Sequence, residues 1–442
     1  MFPNPQDALP LPPRPNLEQY RKLAKDLLKA ARSTDEGALR IWSRRWIKRL
    51  VKLGGLEITR QMPIAEERWA RQVEEFAQRE LGGKRNLSQA QFVIARASGF
   101  QSWRWLVDHI QGMGRKASHV AEFEEAAEAI VNGYLAGLRR LLRRDPELVR
   151  VRSTREHRAT LLHYVSANGV EGYRQKTPKN IVQIAEVLLQ AGAEVDAAAD
   201  VYGGGATTLG LAATSCHPEA AGVQNALLQL LLDHGAAIEQ PGAAGNKDTA
   251  ITGCLANGRG AAAEFLASRG AQLDLEGAAG VGRLDVVKSF FNPDGTLKST
   301  ATTEQMKSGF AWACEYGHTS VVEFLLRQGI ELPIKLKHNG QTGLHWAAYG
   351  GHSDVVRLLL EQSAPVNIKD DTYSGTPLGW ALYGWGESPK RGSYYEVVAL
   401  LVKAGANEEA KWLADPDRGM PLTAKIQADP RMLAALKGET PR

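Results

Sequence analysis

The stretch TGLHWAAYGGHSDVVRLLLEQSAPVN, residues 342–367, decides the fold of this chain. It opens with Thr342 and a short apolar run, breaks at Gly350-Gly351, and continues with the apolar run VVRLLL from Val355. Threonine is a good cap at the start of a helix, and glycine is the residue that most readily ends one. The stretch therefore predicts two short helices joined by a tight turn.

Similar stretches recur before and after this one. The last four copies follow each other at nearly equal intervals, and most copies are followed by a second apolar block that closes on a glycine. A terminal glycine supplies the left-handed conformation with which many helices end, so the pattern predicts one pair of helices per repeat. The copies begin at Thr160, Thr207, Thr249, Leu273, Ser308, Thr342 and Thr376, and the closing glycines are Gly192, Gly235, Gly270, Gly329 and Gly405.

The repeat resembles the ankyrin repeat. The signature of that family, TxLHxAAxxGH…VVxLLLxxGAxVN, matches residues 342–367 almost letter for letter, and the resemblance covers roughly residues 120–410. It implies an all-α ankyrin-repeat solenoid of about seven to eight helix pairs, several with insertions. Because one helix pair cannot bury its apolar side alone, neighbouring repeats are expected to stack into a continuous core.

Changes in composition along the chain predict four segments. Residues 1–16 hold six prolines and are expected to form an extended, mobile leader. Residues 17–114 carry apolar residues at helical spacing, which predicts a basic, tryptophan-rich helical domain. The ankyrin array is expected over residues 120–410, and a C-terminal helical cap and tail over residues 411–442.

The overall composition is that of a folded chain, with 43% apolar and 23% charged residues among 442. No run of about 18 apolar residues is present, which argues against a membrane span. The three cysteines, Cys216, Cys254 and Cys314, form no CxxC pair, which argues against a disulfide framework and a cysteine-based zinc site. The N-terminal residues lack the features of a signal peptide, so we expect a cytoplasmic protein.

Charge is divided unevenly along the chain. Residues 1–118 contain 22 lysines and arginines against 12 aspartates and glutamates, a balance of +10, and the remainder contains 32 against 37, a balance of −5. In residues 41–50 of the basic part, cations alternate with aromatic side chains. Two interpretations are open: the basic domain docks on the acidic array through these same cations, which we favour, or residues 17–112 bind nucleic acid.

The residue types that support catalysis or metal binding do not form a recognisable motif. The sequence has no HExxH, no GxxxxGK[ST] phosphate loop and no pair of carboxylates at helical metal-ligand spacing. His163 and His345 occupy the histidine position of the TxLH motif, where the resemblance implies a structural, hydrogen-bonding role. We therefore predict no enzymatic activity, no cofactor and no metal site.

The resemblance implies an interaction scaffold that binds a partner protein or peptide. Ankyrin arrays generally use for this purpose a concave surface built from loop tips and first helices. Aromatic side chains often anchor such interfaces. The predicted partner-binding residues are Trp346, Tyr349, Tyr373, Trp380, Tyr383 and Trp385.

Insertions suggest an alternative site. Residues 170–180, 216–222 and 385–395 lengthen three repeats between their two helices, and residues 200–206 lengthen a loop. Long loops in compact domains are often binding elements. The first two repeats could thus form a small-molecule or enzymatic pocket, whose residues would be Tyr173, Arg174, Lys176, Tyr202, Gly204, Thr207 and His217.

Overall fold

The fold is known from a computed structural model, which describes residues 4–12, 14–54, 62–83, 85–115, 117–239, 249–332, 334–335, 340–387, 392–407 and 422–440. Within these ranges the chain is all-α, as predicted, with three isolated backbone bridges and no strand. It forms two compact units, residues 1–247 and 248–442.

Five helices form a helical domain at the start of the first unit. They are α1 (Leu17–Arg32), α2 (Ala38–Gly54), α3 (Met62–Leu81), α4 (Leu87–Ala97) and α5 (Trp103–Met113). Asn16 caps α1, because its Oδ1 accepts the backbone N–H of Glu18 at 2.8 Å. The apolar faces of the helices meet in one core that includes Trp42, Trp46 and Phe100.

Part of the proline-rich leader belongs to this core, in contrast to the mobile leader that we predicted. Leu9 is fully buried, and its backbone N–H donates to the carbonyl of Ala97 at 2.8 Å. The carbonyl oxygen of Gln6 lies so close to Gly172 that a Cβ on that glycine would meet it at 2.7 Å. The buried Leu9 thus holds the leader against the helical domain. A high proline content does not predict such a contact.

Three helix pairs complete the described part of the first unit. The second pair begins with a 3₁₀ helix, and the third contains a short inserted helix. In order, the pairs are α6 (His119–Val131) with α7 (Leu135–Arg144), the 3₁₀ helix Leu161–Ser166 with α8 (Ile181–Gln190), and α9 (Thr208–Thr214) with α11 (Gln224–Asp233), between which lies the inserted α10 (Cys216–Ala220).

Five further pairs form most of the second unit in its described part, which brings the number of described pairs to eight. They are α12 (Ala250–Ala256) with α13 (Gly260–Ser268), α14 (Leu275–Gly280) with α15 (Leu284–Ser289), α16 (Thr303–Glu315) with α17 (Thr319–Arg327), α18 (Gly343–Gly350) with α19 (Ser353–Glu361), and α20 (Pro377–Glu387) with α21 (Tyr394–Lys403). Two short helices, α22 (Leu422–Gln427) and α23 (Pro430–Ala435), follow. The first helices α12, α14, α16, α18 and α20 pack successively side by side.

One helix begins earlier than the repeat pattern predicted. Helix α16 starts at Thr303, five residues before the repeat start that we placed at Ser308. The cause is a capping box, in which Thr302 Oγ1 accepts the N–H of Gln305 at 3.1 Å and Gln305 Oε1 accepts the N–H of Thr302 at 3.0 Å.

Histidines link neighbouring repeats through hydrogen bonds, which confirms their predicted structural role. The Nδ1 atom of His345 accepts the backbone N–H of Thr342 at 3.1 Å, so its Nε2 carries the proton and donates to the Gly375 carbonyl at 3.1 Å. His163 makes the equivalent contacts in the first unit. In the turn of the repeat, His352 Nε2 donates to the Glu315 carbonyl of the preceding repeat at 2.7 Å.

The predicted left-handed helix ends are also confirmed. Gly329 and Gly405 have φ values of +88° and +91°. The repeat at residues 342–367 departs from this rule, because Ser363 occupies the corresponding position with φ of +62°. A side chain is disfavoured in this conformation, and glycine is the residue that best tolerates it.

A buried ionic cluster joins α6 of the first helix pair to the insertion at residues 170–180. Arg174 contacts Glu124 and Glu128, each at 2.8 Å, and Glu171 at 3.3 Å. Arg155 Nε lies 2.5 Å from Glu171 Oε1. Burial by itself would raise the pKa of Glu171, but the charges of Arg174 and Arg155 outweigh it and hold the pKa well below its ordinary value. The cluster is therefore ionised at neutral pH.

The same cluster reaches the helical domain. Arg155 Nη1 donates to the carbonyl oxygen of Ser98, at the end of α4, at 2.9 Å. Nearby, Arg96 forms an ion pair with Glu156 at 2.5 Å, and His109 lies 2.7 Å from Thr154 Oγ1. The helical domain thus packs on the first repeats partly through charge, but these contacts do not involve the cations of residues 41–50, through which we predicted the docking.

Removing one carboxylate from the cluster should destabilise the protein strongly. Glu171→Gln removes the carboxylate closest to Arg155 and leaves Glu124 as the remaining carboxylate shared by Arg155 and Arg174. Breaking a buried ion pair by removing one partner typically costs about 3–5 kcal/mol. We expect a loss of this size in the free energy of unfolding measured by urea titration. Glu147→Gln is the matched control, because its ion pair with Arg150 is solvent-exposed and should contribute less than about 1 kcal/mol. Equal losses in both variants would contradict this account.

His345 should make stability depend on pH. Burial lowers the pKa of His345 to about 4, whereas in the unfolded chain it titrates near 6.5. Its stabilising contribution is therefore complete above about pH 6.5 and is lost as the pH falls towards 4. The melting temperature of His345→Gln should lie below that of the wild type at about pH 7.5, and the difference should shrink on acidification. His234→Gln, at an exposed position, serves as the control. A difference that does not change with pH would speak against the assigned role.

Candidate aromatic binding surface

Three tryptophans occupy the same position in three successive repeats. Trp312, Trp346 and Trp380 follow each other at equal intervals of one repeat and lie on α16, α18 and α20. Because these helices pack side by side, the indoles meet: the ring centroids of Trp312 and Trp346 are 6.2 Å apart, and those of Trp346 and Trp380 are 5.7 Å apart. Such separations are those of favourable aromatic contacts. The repeat length thus builds a row of indoles across three helices.

A second row of rings runs beside the first. Tyr349 and Tyr383 are also one repeat apart, and their rings stack with a centroid distance of 6.2 Å and an interplanar angle of 18°. Each follows a tryptophan by three residues, which places it on the same helix face. The Tyr349 ring also lies 5.6 Å from that of Trp380, so the two rows form one patch.

The patch is partly open to solvent. Tyr373, in the loop before α20, is 53% exposed, and its ring lies 6.0 Å from that of Trp380. The other rings are half-buried, so each is held by its neighbours and still presents part of its surface. We call the set the aromatic surface; it comprises Trp312, Trp346, Tyr349, Tyr373, Trp380 and Tyr383.

Carboxylates border the aromatic surface. The indole Nε1 of Trp312 donates to Glu276 Oε1 at 2.8 Å, and that of Trp380 donates to Asp370 Oδ2 at 3.0 Å. Burial alone would raise the pKa of Asp370. Hydrogen bonds from the backbone N–H groups of Tyr373 and Gly375, and from Trp380, outweigh burial and lower it. Asp370 is therefore negatively charged at neutral pH.

Five of the six residues predicted to bind a partner lie together in the aromatic surface, and one does not. Trp385 is only 6% exposed and belongs to the core of the second unit. It follows Trp380 by five residues, which turns it by about 140° around the helix, whereas Tyr383 stays close to the face of Trp380. The prediction missed Trp312, which its spacing of one repeat from Trp346 would have revealed.

Of the residues of the alternative pocket, Tyr173 and Arg174 lie together, with the Arg174 guanidinium 5.5 Å from the centre of the Tyr173 ring, and the other five have different surroundings. Arg174 is buried among carboxylates, and Tyr173 Oη accepts a hydrogen bond from Arg155 at 3.1 Å. Tyr202 is exposed, and its hydroxyl lies 2.7 Å from Gln6 Oε1. The other four also differ in their settings: Lys176 is exposed, Gly204 has a left-handed backbone, Thr207 caps α9, and His217 is half-buried on α10. The pocket formed by these seven residues therefore stays a prediction.

The aromatic side chains of the basic helical domain are mainly core residues. Trp42 and Trp46 are 7% and 5% exposed, and their ring centroids are 5.3 Å apart. Nucleic-acid-binding surfaces stack bases on accessible rings, which these two residues do not offer. Trp105 is more exposed, but the guanidinium of Arg158 lies over its ring at 5.4 Å.

Two absences concern the described residues alone: that of a metal-ligand cluster and that of a membrane-spanning helix. No three or more His, Cys, Asp or Glu side chains there are grouped so as to hold a metal ion. Among the helices of the same ranges, none has the length and apolar character needed to cross a bilayer.

Comparison with known proteins agrees with the helix pairs seen here. A family model described as ankyrin repeats, in three copies, matches residues 275–370 and 310–411. The solved ankyrin-repeat domain of Bcl-3, described as a unique member of the IkappaB protein family, matches with 20% identity over 58% of this chain and 93% of its own. The TM-score of 0.29 is too low to establish a shared architecture. No curated protein sequence matches this chain. The family match identifies residues 275–411, which contain four of the eight described helix pairs, as ankyrin repeats.

Proposed function

We propose that this protein binds a partner protein or peptide through the aromatic surface. The observation that carries the proposal is the double row of tryptophan and tyrosine rings, half-buried on adjacent first helices. Ankyrin repeats are interaction modules in general, and rigid aromatic anchors that already pack together lose little side-chain freedom on binding.

The charges around the rings support the same use. Glu276 and Asp370 are hydrogen-bonded to two of the indoles, and Asp371, beside Asp370, has an exposed side chain that forms an ion pair with Lys335 at 2.5 Å. An interface with an aromatic centre and a charged rim fits the usual anatomy of protein recognition sites. The proposed partner therefore presents apolar or aromatic side chains to the rings and basic groups to the rim.

The helical domain, residues 17–114, serves in this proposal as an N-terminal cap of the array. Repeat arrays need a terminal element that covers the apolar side of the first repeat. The burial of Arg155 against Ser98 and of Leu9 against α4 supports this role.

The test compares the proteins that wild-type chain and variants retain from a native lysate, identified by mass spectrometry. Tyr349→Ala/Tyr383→Ala and Tyr373→Ala remove rings from the aromatic surface. We expect these variants to retain the specific partner at a level about tenfold lower or less. Truncating an anchor residue to alanine typically costs over about 1.4 kcal/mol of binding free energy. Tyr134→Ala is the matched control, since Tyr134 is an equally large, exposed ring in the first unit.

Circular dichroism and melting temperature must show that the variants remain folded. Retention of the same partner at the same level by all three variants would contradict the proposed surface. If only Tyr134→Ala lost the partner, the result would indicate that the interface lies in the first unit.

A further inference from the structure

A cleft of about 720 Å³ lies between α1 and α2 of the helical domain, outside the aromatic surface. Apolar side chains from both helices line it, including Leu23, Ala30, Trp42, Trp46 and Leu50. Trp42, Trp46 and Leu50 recur at intervals of four residues, which aligns them along one face of α2. The cleft is thus a groove with an apolar floor that follows two helices.

Four cations stand along this groove. Lys22 and Lys29 are seven residues apart on α1, and Arg45 and Arg49 are four residues apart on α2, so each pair shares a helix face. All four side chains are exposed. In the part of the chain that the structure describes, none of the four takes part in an ion pair.

The groove has fewer negative than positive side chains. Asp26 and Asp35 are its two carboxylates, and Asp35 Oδ1 already accepts the backbone N–H of Gly37 at 2.8 Å. Ile41, also in the groove, is 47% exposed, which is unusual for a large aliphatic side chain on an ordered helix. A ligand of this groove therefore needs an apolar side to contact the floor and Ile41, and negative charges to pair with the excess cations.

We propose that this groove binds a short amphipathic, acidic helix of a partner protein. The apolar face of such a helix would cover the floor, and its flanking carboxylates would pair with Lys22, Lys29, Arg45 and Arg49. Docking an amphipathic helix into a groove between two helices is a recurring mode of recognition. Helix α1 has 16 residues, about 24 Å, which accommodates about four turns of a ligand helix.

The observations favour this ligand over nucleic acid. A nucleic acid would use the same cations for its phosphates, but its bases need accessible rings, and Trp42 and Trp46 are buried on the floor. An aliphatic helix face would instead contact the accessible apolar side chains of the groove, which are Ile41 and the partly exposed Leu23 and Ala30. The inference is independent of the proposed function, because the groove and the aromatic surface belong to different units.

Fluorescence anisotropy with the full chain tests the proposal. The probe is a labelled peptide of about 16 residues, with leucines at i, i+3, i+4 and i+7 and glutamates on both sides of them. We expect saturable binding to the wild type and none to a scrambled peptide of the same composition. Arg45→Glu/Arg49→Glu and Ile41→Ala should each weaken binding by about tenfold.

Lys48→Glu/Lys52→Glu is the control, because it changes the charge of α2 equally at exposed positions outside the groove. It should bind the peptide almost as the wild type does. Equal loss in this control, or equal binding of the scrambled peptide, would overturn the proposal and indicate general electrostatic attraction. The wild type could instead bind a single-stranded oligonucleotide more tightly than the peptide, and Arg45→Glu/Arg49→Glu could abolish that binding. This result would overturn the proposal and indicate that the groove binds nucleic acid. Melting temperatures of all variants exclude loss of folding as the cause.

Discussion

The short helices of this protein cannot bury their apolar sides alone. Within each unit, the stacking of helix pairs on one another is the constraint on which the rest of the structure depends. Helix α18 has eight residues, well below the length at which an isolated helix is stable in water. Its buried side chains, Leu344, Ala347 and Ala348, share one core with those of the adjacent pairs. The hydrogen bonds of His345 and His352 to backbone carbonyls of neighbouring repeats satisfy polar groups at the same contacts.

Because the repeat length is constant from α16 to α20, stacking aligns equivalent residues on the surface as well as in the core. A residue at one position of the repeat lies beside the equivalent residue of the next repeat, so a side chain that recurs once per repeat becomes a row. In most repeats these surface positions differ, but the repeats that contain Trp312, Trp346 and Trp380 keep tryptophan there. The aromatic surface is thus produced by the register that also produces the core. The residues that border the aromatic surface vary from repeat to repeat, because they lie in loops of different sequence. Asp370, which accepts a hydrogen bond from Trp380, is one such loop residue.

Local signals carried most of what could be predicted from the sequence. Capping threonines, closing glycines and the histidine of the TxLH motif act within a few residues, and the structure confirms these assignments at Thr342, Gly329 and His345. The ionic cluster could not be predicted in the same way, because it joins residues far apart in sequence, such as Glu124 and Arg174. Trp385 was misplaced because residues 385–395 were assigned to an insertion, whereas α20 continues to Glu387 and buries Trp385. Leu9 was missed because one buried leucine has little weight against six prolines.

The central claim is that the repeat register brings the indoles of Trp312, Trp346 and Trp380 into contact as one row. Proton–proton NOE spectroscopy on protein with protonated tryptophan in a deuterated background measures these contacts directly, with Trp→Phe variants assigning the signals. The structure predicts cross-peaks from the indole of Trp346 to the indoles of both Trp312 and Trp380, whose ring centroids lie within 6.2 Å and 5.7 Å of it. The absence of either cross-peak in the folded protein would contradict the account.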